Sequence, residues 1–232
     1  MRFVLFLLAL LAAAAVPAWF YLDSRVGVAI ESATTRALAT EVEVGRVLPV
    51  WEGGPALAIR DLRIANPEPF GGAAVAAVDS IRLVPAGWSL DDGLRTVALS
   101  GVELQLEKRR DAINFVRLFA AIDRVARQAG AGADGFAIER IELRSGRLVS
   151  RLGPRYGRAG LVERGLGPAV FRSDDDDVVV HSAAQWTARI ADGVLQYAIA
   201  ASRDGLPAEF VGTLDRELGD RPAALRRIAA EE

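Results

Sequence analysis

Chemistry in this chain has few reagents to draw on. The single histidine, His181, stands beside Ser182 and shortly after the acidic run Asp174–Asp177. A Ser-His-Asp relay is the catalytic reading of that neighbourhood, and Ca²⁺ held by clustered carboxylates is the metal reading. The run lacks the alternating ligand spacing of a calcium loop, and His181 sits within a strand-like apolar pattern. A solvated acidic turn beside an ordinary sheet histidine accounts for both. Cysteine is absent, so disulfides, thiolate metal sites, iron–sulfur clusters and cysteine nucleophiles are excluded. Lys108 is the sole lysine among 28 basic residues, and it lies in the charged run Lys108-Arg109-Arg110 at a strand end. That run reads as a solvated edge that discourages aggregation. Neither an enzyme nor a cofactor or metal site is therefore expected.

Arginine offers a different chemistry. Arg151, Arg155, Arg158, Arg164 and Arg172 crowd a Gly-rich stretch opposed only by Glu163. Guanidinium groups pair well with phosphate, which makes Arg151, Arg155, Arg158 and Arg164 candidates for lipid-headgroup contact. The glycines follow neither a P-loop nor a dinucleotide-binding fingerprint. A loop whose charge is answered by Asp174–Asp177 is the plainer account. Overall charge is only −2, from 28 basic and 30 acidic residues, which argues against nucleic acid as a partner. Trp51, Trp88 and Trp186 read as ordinary packing or as a membrane-facing rim.

The elements that would hold such groups begin with a hydrophobic N-terminus. Phe3–Leu22 contains no charged residue over 20 positions, about 30 Å as a helix and enough to cross a bilayer core. Trp19, Phe20 and Tyr21 gather at its far end, where aromatic rings favour the membrane interface. A cleaved signal peptide is the rival, supported by the small residues of Ala13–Ala15 and Val16-Pro17-Ala18. The apolar run continues past both sites, so an uncleaved anchor is the expectation. Arg2 before it places the N-terminus in the cytoplasm and the body across the membrane.

The remaining 210 residues can bury one core, and they carry an internal repeat. Leu57-Ala-Ile-Arg-Asp-Leu-Arg-Ile64 matches Val97-Ala-Leu-Ser-Gly-Val-Glu-Leu104, and both match Phe136-Ala-Ile-Glu-Arg-Ile-Glu-Leu143. Ala76–Leu83 is a weaker copy. The pattern is period-2 alternation with one extra residue, as a β-bulge produces when two residues oppose one. The bulge keeps Leu57, Ile59, Leu62, Ile64, Val97, Leu99, Val102, Leu104, Phe136, Ile138, Ile141 and Leu143 on one apolar face, a candidate lipid groove. Such strands build a curved antiparallel sheet.

Two amphipathic helices are expected against it. One runs near 24–38 with Val26, Ile30, Ala33 and Ala37 on a face. The other runs from an Asn114 cap to about Gln128, with Phe115, Leu118, Phe119, Ile122 and Val125 as its stripe and Arg117, Arg124 and Arg127 opposite. The fold class is thus α+β and β-dominated. The segments are an anchor at 1–22, a β-rich domain at 23–150, a Gly/Arg/Asp-rich loop at 151–177, and further strands with a short terminal helix at 178–232. In the last segment Val178–Ile190, Val194–Ala201 and Ala208–Leu214 read as strands. Asp192-Gly193 reads as a hairpin turn, and Arg221–Glu232 as a short amphipathic helix or a frayed end.

Taken in order, these pieces resemble the N-terminal region of the AsmA-like family, the bacterial envelope group related to TamB and YhdP. The likeness spans the anchor and about residues 24–150. It rests on Arg36–Arg46, on Leu57–Ile64 running into the turn Asn66-Pro-Glu-Pro-Phe70, on Val97–Glu107, on Asn114-Phe-Val-Arg-Leu118, and on Phe136–Leu148. Pro69 stands where the family usually has Gly. The resemblance implies an inner-membrane anchor, a periplasmic body with an apolar groove, and a role in outer-membrane biogenesis that includes phospholipid binding or transport. Family members are usually several times longer. Ten strands at about 4.8 Å stack to only about 45 Å, so this chain alone makes no conduit across the periplasm. An anchored module that docks a partner protein on its sheet edge or apolar face is the alternative.

Overall fold

The computed structural model describes residues 27–28, 30–32, 34–36, 38–51, 54–70, 74–87, 92–110, 112–128, 136–153, 155–156, 160–173, 182–218 and 225–228. The expected anchor with Trp19, Phe20 and Tyr21 lies outside them, as do Trp88, Arg158, Asp174–Asp177 and His181. Among the described residues no helix is long and apolar enough to cross a membrane.

The repeats are strands. β1 (Val42–Glu43) and β2 (Arg46–Trp51) both line one side of β3 (Pro55–Ile64). Next comes β4 (Ala76–Pro85) and then β5 (Leu94–Arg109), all antiparallel. Beyond β5 the order changes. β7 (Ile141–Leu143) and β8 (Gly146–Arg151) pair with β5 in parallel. The expected antiparallel sheet is therefore a curved, open, mixed one. The cause is α2 (Asn114–Gln128): a strand that returns through a helix re-enters beside its predecessor in the same direction. The short β6 (Ala112–Ile113) pairs back onto the end of β5 before α2 begins.

The phase slip of the repeat lies on one line across the sheet. Between β3 and β4 the ladder skips Asp61 opposite Asp79; between β4 and β5 it skips Asp79 opposite Gly101. Gly45 on one side and Ser145 and Gly167 on the other continue the row in register. Every strand slips at the same level, so one unpaired residue faces another and no strand gains on its neighbour. This differs from the two-against-one bulge expected. The parity change is nevertheless the expected one. The third copy departs from the scheme: Ile141, not Phe136, stands opposite Val97, and its own slip falls at Glu139-Arg140.

The row explains its residue types. Asp61 adopts φ 56° and Gly101 φ 65°, and Gly101 N–H donates to Ser145 Oγ at 3.0 Å. A Cβ on Gly101 would sit 2.0 Å from Asp79 Oδ2 and 2.7 Å from its Cβ. Gly101→Ala should therefore cost about 2 kcal/mol, part from the left-handed backbone and part from the clash. Denaturant unfolding checks this, and Asp79→Ala in the same chain should recover only the part due to the carboxylate, since the Cβ at 2.7 Å remains. The alanine shared at the second repeat position has its own reason. Ala58, Arg82 and Ala98 form one cross-strand row on the outer face. The two alanines are nonetheless 3% and 2% exposed, leaving room for the long arginine stem beside them.

α2 matches its expected bounds, and Phe115, Leu118, Phe119 and Ile122 are buried. The described residues of 27–38 are helical (α1). Ile30, Thr34 and Leu38 face inward, while Val26, Ala33 and Ala37 of the expected set lie outside the described residues.

The C-terminal third differs from expectation. The supposed loop contains β9 (Leu161–Leu166) and β10 (Ala169–Ser173). Ala169, Val170 and Phe171 are all buried, so alternation is missing because both faces are covered. Over their described residues, the expected strands Val178–Ile190, Val194–Ala201 and Ala208–Leu214 are instead α3 (Ala183–Ser202) and α4 (Ala208–Leu218). Ser182 and Gln185 form a capping box that starts α3, and the alanine-rich text after it favours helix. Asp192-Gly193 is no hairpin. Asp192 is buried and accepts a bond from Gln196 Nε2 at 2.8 Å, one helical turn on. Gly193 lets α3 approach β11 (Leu225–Ile228), since a Cβ there would stand 2.8 Å from Leu225 Cδ1. β11 itself occupies the place expected for a terminal helix.

Candidate functional site

Between the inner face of the sheet and the helices α1 and α3 lies a cavity of about 270 Å³. The sheet supplies its floor from the repeat positions on both sides of the crease. Ile59, Leu62 and Ile64 come from β3; Ala76, Val78, Ile81 and Leu83 from β4; Leu94, Val97, Leu99, Val102 and Leu104 from β5. Phe136 and Ile138 extend the floor beside Leu94, held by Leu94 N–H to Ala137 O at 2.8 Å and Glu139 N–H to Leu94 O at 3.0 Å. Nine of the twelve expected groove residues therefore meet around one space. The other three do not line it. Ile141 and Leu143 are each 1% exposed and belong to the packed core under β7, and Leu57 is half-buried near the start of β3.

The roof was not legible as such. α3 contributes Trp186, Thr187, Ile190, Ala191, Val194 and Leu195, spaced at helical intervals, and α1 contributes Ile30, Thr34 and Leu38. Among the described residues Leu118 is the one that α2 adds to the lining. The signals present were the Ser182-x-x-Gln185 box and the 186-190-194 spacing, which the neighbouring valines and Asp-Gly obscured. Each roof helix is tied down by polar bonds at its flank. Glu31 Oε1 accepts the Val44 N–H at 2.9 Å, and the Trp186 indole N–H donates to Phe136 O at 2.7 Å. Farther along α3, Tyr197 donates to Gly167 O at 3.1 Å and stacks edge-on with Phe171.

The lining is apolar apart from the hydroxyls of Thr34 and Thr187, the Trp186 N–H being engaged already. A space of this kind gives water too few partners to be held. An apolar cavity of roughly 150 Å³ admits a benzene-sized guest, so this one has room for a longer hydrocarbon. What it can bind is hydrocarbon, with any charged head outside.

The candidate headgroup arginines are elsewhere. Arg151 ends β8 and Arg164 lies on β9, both exposed, while Arg155 pairs with Glu209 of α4. None of the three lines the cavity. The electrostatic cluster nearest them is structural: Arg147 bonds Glu103 through Nε at 2.9 Å and Glu163 through Nη1 at 3.1 Å. The Arg147 hydrogen bond holds the Glu103 carboxyl below its ordinary value of 4.5 despite partial desolvation. A depressed carboxylate stabilises the fold above its unfolded pKa, and that increment is lost as pH falls through the folded value. Lys108 bonds Tyr156 Oη at 3.3 Å and lies over the Tyr156 and Phe210 rings. Trp51 is 75% exposed at the end of β2, whereas Trp186 is buried. Among the described residues no group of His, Asp and Glu side chains forms a metal cage. Comparison with protein-family models, with curated proteins and with solved structures finds no match.

Proposed function

We propose that this chain is a membrane-anchored, envelope-facing protein of the AsmA-like type that holds the acyl chain of a lipid. The observation that carries the reading is the apolar cavity built from the repeat strands and roofed by α1 and α3. An unfilled space lined by so much hydrocarbon surface is costly, at about 25 cal/mol for each Å² left without contacts. A chain threaded into it recovers that cost. The anchor Phe3–Leu22 would supply the lipid-bearing membrane, and envelope or outer-membrane maintenance is the process to which such binding belongs. Roofed by helices, the cavity suits holding a chain more than conducting one along an open trough.

The test is lipid bound after gentle extraction of the full chain. Mass spectrometry should find a stoichiometric phospholipid or fatty acid with the wild-type protein. Val78→Phe, which fills the cavity from β4, should reduce it at least about tenfold, as a loss near 1.4 kcal/mol implies. Equal lipid in both proteins contradicts the reading.

A second reading has its own observation. Trp51 on β2 and Leu161 on β9 are 75% and 68% exposed, and among the described residues each strand pairs on one side only. Such edges suit strand addition by a partner protein. Protein recovered with the wild type in place of lipid, and lost on Trp51→Ser, would favour it.

A further inference from the structure

We propose that Trp186 is the stop that sets how long a hydrocarbon chain the cavity accepts, an inference that rests on the acyl-chain reading above. The cavity follows β5 from Leu94 to Leu104. Trp186 stands at the Leu94 end, because its indole N–H is bonded to Phe136 O at 2.7 Å and Ile138 bridges directly to Leu94. Ala76 and Leu104, paired across β4 and β5, mark the opposite end.

Three features make the ring a fixed wall. It is 2% exposed, its one polar atom is engaged, and it sits on the first turn of α3. That turn is itself locked by the capping box, with Ser182 N–H to Gln185 Oε1 at 2.6 Å and Gln185 N–H to Ser182 Oγ at 3.3 Å. Swinging the indole aside would leave a buried donor unpaired. The lining offers a charged head no partner, so an amphiphile enters tail first and its depth of entry is its accepted length. A wall at the end of the path then selects among chains differing only in methylene count. Removing the indole frees about the span of its fused ring, roughly 5 Å, or about four carbons at some 1.2 Å of rise per bond.

The experiment uses the full chain in nanodiscs of phosphatidylethanolamine and phosphatidylglycerol. A diazirine-bearing palmitate labels the cavity, and saturated fatty acids from octanoate to stearate compete for it. Partition into the bilayer is common to all variants, so only the shift between them is read. The wild type should show an optimum length, and Trp186→Ala should move it about four carbons longer. Trp186→Leu, which keeps more of the packing, should move it less in the same direction. Trp186→Phe should stay close to the wild type. Lower affinity with an unmoved optimum in both Trp186→Ala and Trp186→Leu makes the residue merely structural and overturns the proposal. So does a wild-type profile without an optimum. Absence of any labelling in the wild type instead sinks the acyl-chain reading itself.

Discussion

Asn114→Ala should cost the protein about 3–5 kcal/mol, the largest stability loss expected from any single polar substitution in the described fold. Asn114 is fully buried where β5, α2 and the turn after β3 meet. Its Oδ1 accepts the N–H groups of Glu107 and Phe115, each at 2.9 Å. Its Nδ2 donates to Gln105 O at 2.7 Å and to Asn66 Oδ1 at 3.1 Å. Truncation strips two β5 backbone groups of the partner they have here, at about 1–3 kcal/mol each, and leaves a small void. Thermal unfolding of the full chain should fall by about 10 °C. Asn114→Asp should do no better, since it turns the donor facing Gln105 O into an acceptor. Asn66→Ala, at a half-buried position, should cost only about 1 kcal/mol. A loss below about 1 kcal/mol in Asn114→Ala would show that this latch does not hold α2 to the sheet.

That latch also shows what the text of the chain could and could not convey. Asn66 and Asn114 begin two of the segments on which the AsmA-like resemblance was built, and the fold bonds them to each other. Their residue types were legible; their meeting 48 positions apart was not. The crease is the clearer success. Counting parity through Arg60-Asp61 and Ser100-Gly101 put Ile59 and Leu62, and Leu99 and Val102, on one face, and all four line the cavity. The third copy kept that face too: Ile141 and Leu143 stand beside Val97 and Leu99 at the same offset that pairs Ile138 with Leu94, but they are in the packed core next to the cavity and do not line it.

The C-terminal third misled for a different reason. Branched residues and an Asp-Gly pair in α3 gave local signals for a hairpin, and tertiary contacts overrode them. Gly193 is there for the approach of Leu225, a contact that no local window contains. Ala169–Phe171 lost its alternation because both sides are covered. The roof of the site therefore came from the part of the chain where local pattern was weakest, and with it came Trp186.

The central claim is that the inner face of the creased sheet meets lipid hydrocarbon. A photo-crosslinking residue placed at Ile64 or Leu104, which line the cavity, tests it against the outward neighbours Arg63 and Glu103. In cells, the inward sites should capture phospholipid or fatty acid and the outward sites should not, with labelling at least about tenfold apart. Leu143 adds an internal control. It was expected in the groove but lies 1% exposed in the packed core, so it should capture neither lipid nor protein. Crosslinks to protein alone at Ile64 and Leu104 would point to the docking module. Equal lipid labelling at inward and outward sites would contradict the cavity as a hydrocarbon site.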